Sequence, residues 1–105
     1  MKESDWKVFN EIKEKAIERF CQQCFDEFEE IINDKNERIL NNFMLLTKLV
    51  QNRDKQLTLF FEPHSRSKAK IQLIAIRSEG LVDESLLKKL SEEFLKSTEP
   101  DLHGW

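Results

Sequence analysis

The sequence predicts an all-α fold of three to four antiparallel helices, with a long helix at the N-terminus. The 105-residue chain has only two Gly and two Pro, and none of them precedes Pro63. Apolar residues recur at helical spacing, and Glu and Lys dominate the polar positions. A sandwich or barrel normally needs more turn-forming residues. We expect one helical domain over 1–99 and a tail over 100–105.

The first helix is predicted from the N-terminal residues to about residue 32. Its apolar positions advance by alternating steps of four and three, which places them on one face: Ile17, Cys21, Cys24, Phe28 and Ile31. Ser4 or Asp5 is suited to cap its beginning. Thirty residues make a helix of roughly 45 Å, longer than the diameter of a compact domain of this size, so we expect it to overhang its own core.

A second helix is predicted after the polar segment 33–36. Asp34 and Glu37 have the spacing of a capping box. The apolar stripe continues with Ile39, Phe43, Leu46 and Val50, and Arg53 then interrupts it. The helix therefore either runs to about Phe61 with a polar patch or ends near residue 52.

Segment 57–76 has two interpretations. It is rich in β-branched and aromatic residues around Pro63, which would suit one β-hairpin in an α+β fold. We favour a helix over 66–79, because Ser65 can cap it and Gly80 suits the left-handed position after its end. A last helix is predicted over 83–97, capped by Asp83 and stopped by Pro100.

Neither catalysis nor cofactor or metal binding is expected. Cys21 and Cys24 form a CxxC spacing, but it lies deep inside a predicted helix on the apolar stripe, so we interpret both as small packing residues. A thiol-dependent role for Cys21 and Cys24 is an alternative to this interpretation. Structural zinc needs four ligands, and the two histidines, His64 and His103, are far apart in sequence. The sequence has no phosphate-binding loop and no catalytic motif.

The composition also bears on location. The first thirty residues carry charges throughout, and the longest apolar run is four residues, Phe43-Met44-Leu45-Leu46. A signal peptide needs an apolar h-region, and a membrane span needs about 20 apolar residues. We therefore expect a cytoplasmic protein without membrane contact.

One basic segment is the candidate for anion binding. The net charge of −3 conceals a +4 segment at 63–78 between two acidic segments. The candidate residues are Ser65, Arg66, Ser67, Lys68, Lys70 and Arg77. Such a site would make the chain an accessory protein that binds nucleic acid or a phosphorylated ligand through 64–77. The acidic residues of the last helix would repel the phosphates of DNA. Pairing of the basic residues with the acidic first helix is the simpler interpretation.

The leading functional prediction is a protein–protein interaction or homodimerisation module that is not an enzyme. An overhanging helix with apolar residues generally meets another chain, either a second copy or an unknown protein partner. The residues predicted for subunit contact are Trp6, Phe9, Phe60 and Phe61.

Overall fold

The computed structural model describes all 105 residues and confirms an all-α fold. Five α-helices and one 3₁₀ helix follow one another along the chain. The α-helices are α1 (Glu3–Ile32), α2 (Ile39–Phe61), α3 (Arg66–Ser78), α4 (Glu84–Leu87) and α5 (Glu92–Ser97), and the 3₁₀ helix covers Pro100–His103. The β-hairpin alternative for 57–76 is wrong, because this segment belongs to α2 and α3.

Helices α1 and α2 form an antiparallel hairpin. Phe20 of α1 meets Phe60 and Phe61 at the end of α2, with ring centroids 6.1 and 6.0 Å away. Arg53 and Glu27 pair further along the hairpin. Helix α2 runs unbroken to Phe61, which confirms the longer of its two predicted forms, and the ion pair accounts for the charged residue in its apolar stripe.

The hydrophobic core lies at one end of this hairpin, which we call the base. There α1 packs on α3, α4 and the segments around them. The buried core contains Phe9, Ile12, Ala16, Phe20, Cys24, Phe61, Ala69, Leu73, Ile76, Leu81, Val82, Leu86, Leu87 and Leu90. No residue from 25 to 60 is buried. The molecule is accordingly elongated, with extents of 53 × 24 × 23 Å.

The starts of the first two helices differ from the prediction. Helix α1 begins at Glu3, and its N-cap Lys2 makes no side-chain cap bond. Asp5 is instead buried and accepts hydrogen bonds from the backbone N–H and hydroxyl of Ser91. The expected capping box of α2 is also absent, because Asp34 accepts from the backbone N–H of Asn36 in a local turn, so α2 begins only at Ile39.

The predicted last helix over 83–97 is divided into α4 and α5. Asp83 caps α4, as predicted, through the backbone N–H of Ser85. Ser91 then caps a new helix through the N–H of Phe94, while its own hydroxyl is held by Asp5. That distant contact favours the cap conformation of Ser91 over a helical one. The expected tail is partly ordered as the 3₁₀ helix, which packs on α3.

Helix α3 ends as the sequence predicts. Gly80 adopts a left-handed conformation with φ of 70°. The backbone N–H of Leu81 donates to the carbonyl of Ile76, and that of Gly80 donates to Arg77. These two bonds are those of a Schellman motif, and Leu81 and Ile76 both join the core.

Replacing Gly80 with Ala should lower the free energy of unfolding by about 1–2 kcal/mol, because a Cβ atom strains the left-handed conformation. Urea unfolding measures this change. Gly104 has a similar φ of 73° but lies at the C-terminal end, where unwinding costs little. Its replacement by Ala should change stability by less than about 0.5 kcal/mol. Equal losses from both changes would contradict this account of the α3 terminus.

Candidate functional site

The part of the hairpin that extends beyond the base exposes an apolar surface. Ile39, Phe43 and Phe25 are 88%, 68% and 65% exposed. Phe25 and Ile32 are seven residues apart on α1, and Phe43 and Val50 are seven apart on α2, so each pair lies on one side of its helix. We call this surface the open face and define it by Cys21, Phe25, Phe28, Ile32, Ile39, Phe43, Leu46 and Val50.

Two shallow depressions show that both helices contribute to the open face. Near the tip, a depression of about 430 Å³ is lined by Ile31 and Ile32 of α1 and by Ile39, Phe43 and Leu46 of α2. Closer to the base, Cys21, Phe25 and Phe28 surround a second one together with Val50 and Leu57. Each depression is formed by side chains of both helices, so α1 and α2 contribute together to the open face.

An ion pair marks the place where the covered part of the hairpin ends. Arg53 donates from Nε and Nη2 to the two carboxylate oxygens of Glu27, at 3.0 and 2.8 Å. A third bond runs from Nη1 to Gln56. Leu81 and Glu79 lie beside this pair, on the side of the hairpin away from the open face. The bidentate pair holds the two helices in register where the core ends.

The four residues predicted for subunit contact pack in or against the core of their own chain. Phe9 and Phe61 are 0% and 3% exposed and belong to the chain's own core. Trp6 and Phe60 are half-buried and pack against that core. An overhang does exist, as expected, but at the opposite end of α1, because His64 and Arg66 cover the N-terminal end by lying on Trp6.

The residues of the basic segment do not converge on one site. Arg66 pairs with Glu3 of α1 at 2.6 Å, and its guanidinium lies 5.1 Å from the centroid of the Trp6 ring. Arg77 is bound to Glu99, to Thr98 and to the carbonyl of Leu95. The hydroxyls of Ser65 and Ser67 lie 3.2 Å apart.

Lys68 and Lys70 remain exposed on α3. Two of the four predicted bases therefore serve the chain's own packing.

The two cysteines lie on the side of α1 that faces α2. Cys24 is buried in the core, and Cys21 is half-buried; neither forms a disulfide. Burial raises the pKa of the Cys24 thiol, which keeps it protonated and unreactive. No three side chains among His, Cys, Asp and Glu cluster as a metal site would require. No helix combines the length and the apolarity of a membrane span.

No protein-family model, no curated protein and no solved structure matches this chain. The fold and the surface themselves define its class: an all-α protein whose long helical hairpin carries an open apolar face beyond a small core.

Sequence reasoning identified the apolar stripes that form the open face but predicted the subunit contact elsewhere, at Trp6, Phe9, Phe60 and Phe61. The stripe Ile39, Phe43, Leu46 and Val50 has the spacing of a buried helix face. A useful signal is the length difference: α1 and α2 have 30 and 23 residues, whereas α3 has only 13. A helix of about 20 Å cannot cover a stripe on helices of about 35–45 Å.

The stability of the protein should fall as the pH drops below about 4. The hydrogen bonds from Arg53 lower the pKa of Glu27 from 4.5, and those from Ser85 and Lys15 lower the pKa of Asp83 from 3.8. Both carboxylates therefore bind protons more readily in the unfolded chain. Their stabilisation is present above the unfolded pKa and is lost as the pH falls through the folded pKa.

Thermal unfolding between about pH 6 and pH 2 measures this dependence. Glu27→Gln should reduce the slope, because it removes one of the three carboxylates with a lowered pKa, which are Glu27, Glu37 and Asp83. Glu30→Gln is the matched control, since Glu30 is an exposed acid of the same helix without an ion pair. An unchanged slope in Glu27→Gln would contradict the role given to the Arg53 pair.

Proposed function

We propose that this protein is a homodimerisation module in which two copies pack their open faces together. Each copy contributes two antiparallel helices, so the pair would form a four-helix bundle with the small core domains on its outside. The observation that carries the proposal is the exposure of Phe25, Ile39 and Phe43 on one side of the hairpin. The eight residues that define the open face are apolar or cysteine, and the charged residues Asp34, Lys35, Glu37 and Asp54 lie at the edges of its two depressions. We propose binding rather than catalysis as its role.

The size of the surface supports a stable contact. The open face adjoins two further exposed residues, Leu40 and Met44. A large apolar side chain presents roughly 150–250 Å² when fully exposed, so at the observed exposures these residues together present on the order of 800 Å². Apolar patches on monomers are typically about 300–600 Å², whereas one side of a standard protein interface covers about 800 Å².

The charges around the open face favour a second copy as its occupant. Glu18 and Asp54 border it towards the base, and Lys35 and Arg38 lie at the tip. The border therefore carries both signs, and the net charge of the chain is only −3. When two copies meet, the borders of their open faces therefore do not repel each other uniformly. Two-fold pairing of identical surfaces is also the commonest form of assembly.

Sedimentation velocity at micromolar concentration tests the proposal. The wild-type protein should have a mass of about 25 kDa, twice the 12.6 kDa of one chain. Phe43→Asp should give a monomer, because a dimer would bury its carboxylate without a partner. The change should leave the fold intact, since Phe43 is 68% exposed in the single chain.

Leu59→Asp is the matched control for this experiment. Leu59 also lies on α2 and is 76% exposed, but it is outside the open face. This variant should keep the mass of the dimer. A wild-type mass near 12.6 kDa, or equal dissociation by both substitutions, would overturn the proposal. If the protein is a monomer and an amphipathic helix of another protein binds to the open face, that helix and not a second copy is the occupant.

A further inference from the structure

A second feature is a cleft at the base of the hairpin, next to the open face, whose nearer depression also contacts Leu57. It has a volume of about 620 Å³ and lies between α1 and the segment that leaves α2. Ile17, Leu57 and Phe61 form its apolar wall. Its polar lining comes from Asn10, Lys13, Glu14, Glu62 and His64.

Lys13 is the unusual group in this cleft. The residue is 5% exposed; its Nζ donates to Gln72 Oε1 at 2.9 Å and lies within hydrogen-bond distance of His64 Nδ1, at 3.0 Å. The partners are an amide and an imidazole, and no carboxylate lies within ion-pair distance of the amine. Burial lowers the pKa of Lys13, while the charge of Glu62 partly offsets that effect. More of this amine is therefore in the neutral, nucleophilic form than for an exposed lysine.

His64 is placed to accept a proton from this amine. In the tautomer that carries its ring proton on Nε2, Nδ1 of His64 faces the Lys13 amine at 3.0 Å as an acceptor. The imidazole stacks on Trp6 with ring centroids 5.0 Å apart and is nearly parallel to Phe9. This stacking fixes its orientation. A nucleophile within hydrogen-bond reach of an oriented base is the arrangement of covalent catalysis.

We propose that this cleft binds a small uncharged aldehyde or ketone with an apolar body, which condenses with the amine of Lys13. The Lys13 nitrogen attacks the carbonyl carbon, a C–N bond forms, and the carbonyl electron pair moves to oxygen. His64 carries the two protons of the amine to this oxygen in turn: the first gives the hydroxyl of the carbinolamine, and the second releases that hydroxyl as water when the C–O bond breaks and the C=N bond forms. The products are an imine and one water, so neither an oxidant nor a reductant is required.

The surroundings of the cleft select the class of ligand. Glu14 and Glu62 make the site unfavourable for an anion. The same two carboxylates favour the positive charge of an imine that has taken up a proton. The apolar wall of Ile17, Leu57 and Phe61 suits an aromatic or branched aliphatic body.

Reductive trapping tests the proposal on the intact protein. We would incubate it with benzaldehyde and sodium cyanoborohydride near neutral pH and locate the benzylated lysines by peptide mass spectrometry. Lys13 should be modified about tenfold or more faster than Lys15, its neighbour on α1, which is exposed and paired with Asp83. Preferential modification of the exposed lysines, with Lys13 the slowest, would overturn the proposal.

Two comparisons separate a reactive amine from a merely structural one. His64→Gln should slow the modification of Lys13 by about tenfold or more with little change in thermal unfolding, because glutamine cannot act as the base. Glyoxylate, an anionic aldehyde, should show no preference for Lys13. An unchanged rate in His64→Gln, or equal preference for both aldehydes, would contradict the assigned site.

Discussion

The fold depends on a mismatch of length between the helical hairpin and the elements that cover it. Helices α1 and α2 extend for 30 and 23 residues, whereas α3 to α5 contribute short helices of 13, 4 and 6 residues. A cover of that size can bury apolar side chains only along the base. The elongated shape, the absence of buried residues from 25 to 60 and the open face all follow from this constraint.

Within the base, polar contacts between residues distant in sequence fix the position of α3 to α5 on α1. Asp5 holds Ser91, Lys13 holds Gln72, and Arg19 donates to the carbonyls of Leu81 and Val82. Asp5, Lys13 and Gln72 are buried and would be costly if unpaired, so their contacts favour one arrangement over alternatives with similar apolar burial. The opposite charges of the acidic first helix and the basic segment contribute only one such contact, between Glu3 and Arg66.

The sequence predicted what depends on neighbouring residues and failed where distant residues decide. The all-α class, the cap at Asp83 and the left-handed Gly80 follow from local spacing and are confirmed, whereas local spacing leaves the end of α2 open between two positions. The division of the last helix at Ser91 depends on Asp5, 86 residues away, which no local pattern contains. Periodicity identified the apolar stripe of α2, but it cannot say whether the same chain, another chain or solvent covers that stripe.

Hydroxyl-radical footprinting as a function of protein concentration tests the central claim, that the open face is covered by a second copy, most directly. Phe25 and Phe43 should be oxidised readily in dilute protein and become protected as the concentration rises. Leu59, equally exposed in the single chain but outside the open face, should react at the same rate throughout. Concentration-independent oxidation of Phe25 and Phe43 at the rate of free surface side chains would contradict the claim.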